Sequence, residues 1–164
     1  MKKNEIQQIH CSLARAVAEV GDTWKILIIK ELFWHNHKFD GILRQTGMSS
    51  YSLSTRLEEL KNDGIVEKKM YVSHPPRYEY SLTDKGMSLW AVLTSLTRWG
   101  DTWCNQHDSQ VIGITHRGCS SKSHPILVCS DCGEPMHAHT SKFQATPEVL
   151  ADRSRRDENS IAPY

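Results

Sequence analysis

The sequence contains no long apolar run. Its longest strictly aliphatic stretch is Ile26-Leu27-Ile28-Ile29, far short of the ~20 residues that cross a bilayer. The opening residues carry Lys2 and Lys3 but no apolar segment behind them, so neither a cleaved secretion signal nor a membrane span is expected. An excess of one charge is missing too. Twenty Lys and Arg face 19 Asp and Glu, for a formal net charge of +1. A nucleic-acid partner would therefore need a local basic footprint. There is no glycine-rich phosphate loop, nucleophile elbow or paired-carboxylate motif. The nine histidines are scattered and nominate no general base, so the chain is not expected to be an enzyme of those classes. Five cysteines is an odd number, which argues against a disulfide-built scaffold and leaves a thiol or metal role open. Collagen-like repeats and low-complexity segments are absent.

What is there is unevenly spread. Residues 1–103 hold 43 of the 63 hydrophobic residues, 11 of the 13 aromatics and all five tryptophans. Large side chains dominate the area a fold can bury, so the main core belongs to this part. Residues 104–143 are rich in Ser, His, Cys and Gly and can support a small hairpin or a metal-stapled knuckle. Residues 144–164 are charged and lack a buried-face pattern, which reads as a disordered tail.

Along the first part, Ser12 to Val20 reads as a short helix with Leu13, Ala16, Val17 and Val20 on one side. Asp22 or Thr23 can cap a second helix running to about Trp34. His35-Asn36-His37 is a turn, and a third helix covers Phe39 to Gln45, weakened by Gly41. After the Gly-containing connection Thr46 to Ser49, Ser50 to Asp63 forms a helix with Leu53, Leu57 and Leu60 as its buried stripe, closed by Gly64. The period then changes from about 3.6 to 2. Ile65 to Val72 and Arg77 to Leu82 read as strands joined through Ser73-His74-Pro75-Pro76. Thr83 caps a closing helix in which Leu89, Val92, Leu96, Trp99 and Trp103 recur at alternating steps of three and four, an a/d seam. So much apolar surface on one helix suits a second subunit.

Two helices joined by a short turn and followed at once by a hairpin describe a winged helix-turn-helix. The expected fold is α+β and mostly helical, with a two-stranded wing, a long C-terminal dimerisation helix and a small Cys-containing extension. A helix that reads base edges must present short polar groups. Ser49, Ser50, Tyr51, Ser54 and Thr55 form such a face opposite the leucines, with Arg56 and Lys61 placed for phosphate. Lys68, Lys69, His74 and Arg77 put cations on the wing. An ordinary solvated helix face would carry the same serines; the basic hairpin and the heptad-spaced helix tip the balance towards a double-stranded DNA partner.

These residues resemble the HxlR-type winged-helix regulators. The similarity covers about Cys11 to Trp103. It runs through Cys11-Ser12-Leu13-Ala14-Arg15-Ala16, Gly21-Asp22-Thr23-Trp24-Lys25 and Leu53-Ser54-Thr55-Arg56-Leu57-Glu58-Glu59-Leu60. It is most specific at Gly64-Ile65-Val66-Glu67 with Pro75-Pro76-Arg77-Tyr78-Glu79-Tyr80-Ser81-Leu82-Thr83. Ser12, Gly41 and Ser50 stand where the family usually has Pro, Glu and Pro. The resemblance implies a MarR-like fold and a bacterial, cytoplasmic homodimer acting on pseudo-palindromic operators. It places Ser50, Tyr51, Thr55 and Arg56 on the reading helix and Arg77 on the wing. It also implies an effector, either a small molecule or an oxidant. Some members sense oxidants through a cysteine at the position of Cys11, with a partner thiol for which Cys104 is the nearest choice by segment; buried structural cysteine is the alternative.

A helix N-terminus lowers a thiol's pKa, which suits Cys11 to that role. Cys129-Ser130-Asp131-Cys132-Gly133 after the strand-like Ile126-Leu127-Val128 has the spacing of two zinc ligands. Completion would have to come from among His116, Cys119, His124, His137 and His139, and a reduced metal-free hairpin is the other reading. Two further functions stand beside DNA regulation: a thiol or metal redox protein built on Cys129 and Cys132, and a winged-helix protein-interaction module.

Overall fold

The computed structural model describes residues 3–104, 113–119 and 122–160. Helices α1 (Lys3–Gln7), α2 (Ser12–Val20), α3 (Thr23–Phe33), α4 (Phe39–Thr46) and α5 (Ser50–Asn62) precede a hairpin of β1 (Val66–Ser73) and β2 (Pro76–Leu82). Then come α6 (Asp84–Met87), α7 (Trp90–Trp103), the short strands β3 (Ile114–Thr115) and β4 (Lys122–Ser123), and α8 (Pro147–Ser160). This is the mostly helical winged-helix architecture expected from the sequence.

Local chemistry sets the boundaries. Asp22 caps α3 by accepting from the backbone N–H groups of Trp24 and Lys25 at 3.0 and 3.1 Å. Gly47 and Gly64 close α4 and α5 with φ of 69° and 70°, a left-handed conformation that costs a side chain strain. Gly41 is accommodated inside α4 because the Asn36 side chain occupies the space a Cβ would fill, while its amide donates to the buried Glu31 carboxylate at 2.9 Å. The core is one cluster of Ile28, Ile29, Leu32, Ile42, Leu53, Leu57, Leu60, Ile65 and Val66 with Met48 and Tyr80. It lies where α3, α4, α5 and the base of the wing meet, and so holds α5 from behind.

α1 lies outside the elements read from the sequence, and three expectations need correction. The single closing helix is two: Thr83 caps only α6, accepting from Gly86 N–H at 3.2 Å, and the chain turns at Ser88 and Leu89 before α7. Gly86 lets α6 lie close against the chain at Ile65, whose carbonyl a Cβ there would strike. Residues 126–128 form no strand; Val128 makes one isolated bridge to Pro135. Within the span read as a disordered tail, the chain forms α8. Pro147 stands at its first helical position, and Arg155 and Arg156 flank Asp152 at 3.6 and 2.8 Å, one turn away.

Candidate nucleic-acid interface

The supposed reading helix is α5. Its stripe of Leu53, Leu57 and Leu60 is at most 2% exposed, which fixes the rotation of the helix and turns the opposite face outward. Ser50, Tyr51 and Ser54 lie on that outer face, and Tyr51 is 81% exposed. Ser49 is the N-cap: its Oγ accepts from Ser52 N–H at 3.2 Å. Thr55 is half-buried and its hydroxyl donates to the Tyr51 carbonyl at 2.9 Å, leaving its oxygen lone pairs as the remaining polar resource. Arg56 points elsewhere. Its guanidinium reaches Asp22 at 3.4 Å, joining α5 to the N-terminus of α3. Beside it, buried Lys25 of α3 pairs with Glu59 of α5 and with Asp63 at its C-cap, at 3.0 and 3.3 Å. These ion pairs lock the angle between the two helices. Lys61 pairs with Glu58 on the surface at 2.9 Å.

The wing is an antiparallel ladder in which Lys69 faces Glu79 and Val72 faces Arg77, with an irregularity between Met70 and Val72. Lys68, Lys69, His74 and Arg77 are all exposed. Lys68 lies over the Tyr78 ring at 4.0 Å. Tyr80 on β2 is buried, and desolvation by burial, followed by the charge of Glu58, raises its phenol pKa above the usual value.

What ties the wing to the helices has no local signal in the sequence. Tyr80 N–H donates to the His37 carbonyl at 2.9 Å, His37 Nδ1 lies 2.9 Å from the Tyr80 carbonyl, and Lys38 bridges Glu79. The segment read as a plain turn thus adds a third edge to the hairpin. Between it, α5 and the wing opens a cleft of about 730 Å3. Lys38, Arg44 and Arg77 line it together with Ser54 and Tyr71, with Asp40 and Glu79 as counter-charges. Lys38 and Arg44 had no helical or strand periodicity to mark them, since their position beside the wing is a tertiary fact.

On α7, Val92, Leu96, Trp99 and Trp103 are exposed, Trp103 by 73%. Leu89 does not share that stripe: with Leu93 it packs against the core, because the break before α7 turns it inward. Leu13 and Val17, which share one side of α2, are also open.

Cys11 is half-buried at the N-cap position of α2, and Cys104 is exposed at the C-cap of α7; both are free thiols. Cys129 and Cys132 are free as well. The Cys129 thiol pKa is lowered, first by the backbone N–H of Cys132, then by that of Asp131 and by the Cys132 side chain. Among the described residues no three His, Cys, Asp or Glu side chains converge on one metal position.

The HxlR-like helix-turn-helix family matches residues 19–108. An uncharacterized HTH-type transcriptional regulator of Mycobacterium bovis, Mb3122, is 34% identical over 137 residues, covering 84% of each chain. Among solved structures, PA1607 superposes with a TM-score of 0.75 over 87% of this chain and 99% of its own, at 24% identity, a likeness of fold. The redox regulator HypR in its reduced form superposes with a TM-score of 0.53 at 27% identity, covering 56% of this chain and 92% of its own. No helix among the described residues is long and apolar enough to cross a membrane. A capped, leucine-backed α5 with a polar outer face, set against a basic wing in a mostly helical body, accords with these matches, and the chain belongs to the HxlR-like helix-turn-helix family of transcriptional regulators.

Proposed function

We propose that the protein binds operator DNA sequence-specifically as a homodimer, with residues 1–103 as the DNA-binding and dimerisation unit. The carrying observation is the polar, outward face of α5 beside the exposed cations of the wing. α5 enters the major groove. Ser50, Tyr51, Ser54 and Thr55 meet base edges, Tyr51 stacking on sugar or touching a thymine methyl. Arg77, Lys69 and the cleft cations Lys38 and Arg44 take the flanking phosphates. Ser49 contributes by holding the first turn in shape, and Arg56 by fixing α5 against α3. The exposed stripe Val92, Leu96, Trp99 and Trp103 meets its copy in the partner, with Leu89 supporting it from the core side.

Selection of bound duplexes from a random pool tests the proposal. The expected product is a two-fold symmetric motif; a pool left without preference overturns it. Arg77→Ala is expected to weaken all duplexes alike and reduce the salt slope by about one. Tyr51→Ala or Thr55→Ala instead changes the preferred sequence. Leu96→Glu is expected to give a monomer by analytical ultracentrifugation with greatly reduced operator affinity.

A thiol-responsive arm is supported by one observation, the free Cys11 at a helix N-terminus, together with the likeness to HypR. Diamide treatment should change operator affinity in the wild type and leave Cys11→Ser unaltered. Equal affinity before and after oxidation of the wild type excludes this arm.

A further inference from the structure

The turn around Cys129 has order without a core among the described residues beside it to explain it. Ile126, Leu127, Val128 and Met136 are exposed, and Phe143 fully so. Yet the backbone around Cys129 is closely specified. Met136 N–H donates to the Leu127 carbonyl at 2.9 Å, Cys129 N–H to Glu134 at 2.8 Å, and Gly133 N–H to Cys129 at 2.9 Å. Gly133 has φ of 74°, where only glycine is unstrained. Cys129 and Cys132 stand on this one turn with two residues between them, and the Gly133 N–H closes it onto the Cys129 carbonyl. A Cys-x-x-Cys turn closed by backbone hydrogen bonds and a left-handed glycine has the form of half a tetrahedral thiolate metal site.

A second turn of matching spacing precedes it. His116 and Cys119 are also separated by two residues, and they bracket the turn that follows β3 and leads to β4. Cys119 N–H donates to the His116 carbonyl at 3.2 Å. Cys119 and Cys129 are ten positions apart, so one ion can be reached by both turns. Short segments without a buried core commonly obtain their stability from such an ion.

We propose that the extension is a zinc ribbon in which His116, Cys119, Cys129 and Cys132 hold one structural zinc. The described conformation presents two half-sites, and binding draws them together. The ligands are deprotonated thiolates and a neutral imidazole, so closure releases a proton from each thiol that is protonated beforehand. Four protein ligands leave no open position, which makes the site structural rather than catalytic. The proposal is independent of DNA binding.

The test uses the full chain. Elemental analysis of the purified protein is expected to find about one zinc per chain. Replacement by cobalt should give the visible bands of tetrahedral coordination and near-ultraviolet thiolate charge transfer. Cys129→Ser, Cys132→Ser and Cys119→Ser are each expected to reduce bound zinc to near none. Cys104→Ser and His137→Ala should leave it unchanged. Because a ligand-loss variant can misfold, His116→Cys supplies a gain: it should retain metal and raise the cobalt charge-transfer intensity by about one third, from three thiolates to four. Three results would overturn the proposal: wild-type protein that takes up neither metal, full metal content in Cys119→Ser, or a cobalt spectrum unaffected by His116→Cys.

Discussion

The body of the molecule and its extension differ in how order is achieved. In the body, Ile28, Ile42, Leu53 and Leu60 are wholly buried, and the elements around them are placed by what those side chains must cover. Around Cys129 the apolar residues Ile126, Leu127, Val128 and Met136 lie open, and order comes from backbone hydrogen bonds and the bridge of Val128 to Pro135. Burial of apolar area can hold a large surface in register, whereas a few exposed hydrogen bonds contribute little net stability without a further staple. The contrast suits the first region to the DNA contacts proposed for it. Base readout demands a rigid helix, and α5 is held both by its leucines and by the ion pairs of Lys25 and Arg56.

Paired substitutions would break or sharpen this contrast. Leu53→Ala should cost about 2–5 kcal/mol in urea unfolding. Leu127→Ala should stay within roughly 0.5 kcal/mol. Similar losses at the two sites would show that the extension carries a core after all. Lys25→Ala leaves Asp63 and Glu59 beside a desolvated gap and is expected to cost about 1–3 kcal/mol, with the loss persisting in high salt because the lysine is buried. Gly64→Ala and Gly133→Ala place the same strain, about 1–2 kcal/mol, at equivalent positive φ values. The first should lower the global unfolding midpoint. The second should leave that midpoint alone and increase amide exchange only around Cys129.

The smallest effect is a pH dependence. Tyr80 has its folded pKa raised, so the neutral phenol is favoured in the native state. Its contribution is therefore fully present below the unfolded-state value of about 10 and is lost as pH rises through the folded value. Tyr80→Phe should flatten the alkaline limb of the stability profile; an unchanged limb would assign that loss to other groups.

Much of this was legible in the residues. The α2, α3, α4 and α5 helices were readable from apolar spacing and from stops such as Gly47 and Gly64, and the wing from the switch to alternation and from Pro75-Pro76. Less legible was the direction of long side chains. Arg56 looked free for phosphate because its helical position alone does not show that Asp22, far away in sequence, stands opposite. Leu89 fitted an unbroken heptad, yet the break at Ser88 rotates it onto the core. α8 escaped because a helix without a buried face leaves no apolar period, only propensity and the charges about Asp152.

The amino-acid sequence by itself determined the order of elements from α2 to the wing, the outward polar face of α5 and the winged-helix family, because periodicity, caps and turns are local properties. Tertiary structure alone decided that His37 and Lys38 join the wing, that Lys38 and Arg44 line the cleft, and that Leu13 and Val17 stay open. Those facts depend on which distant segments come together, and no local spacing encodes that.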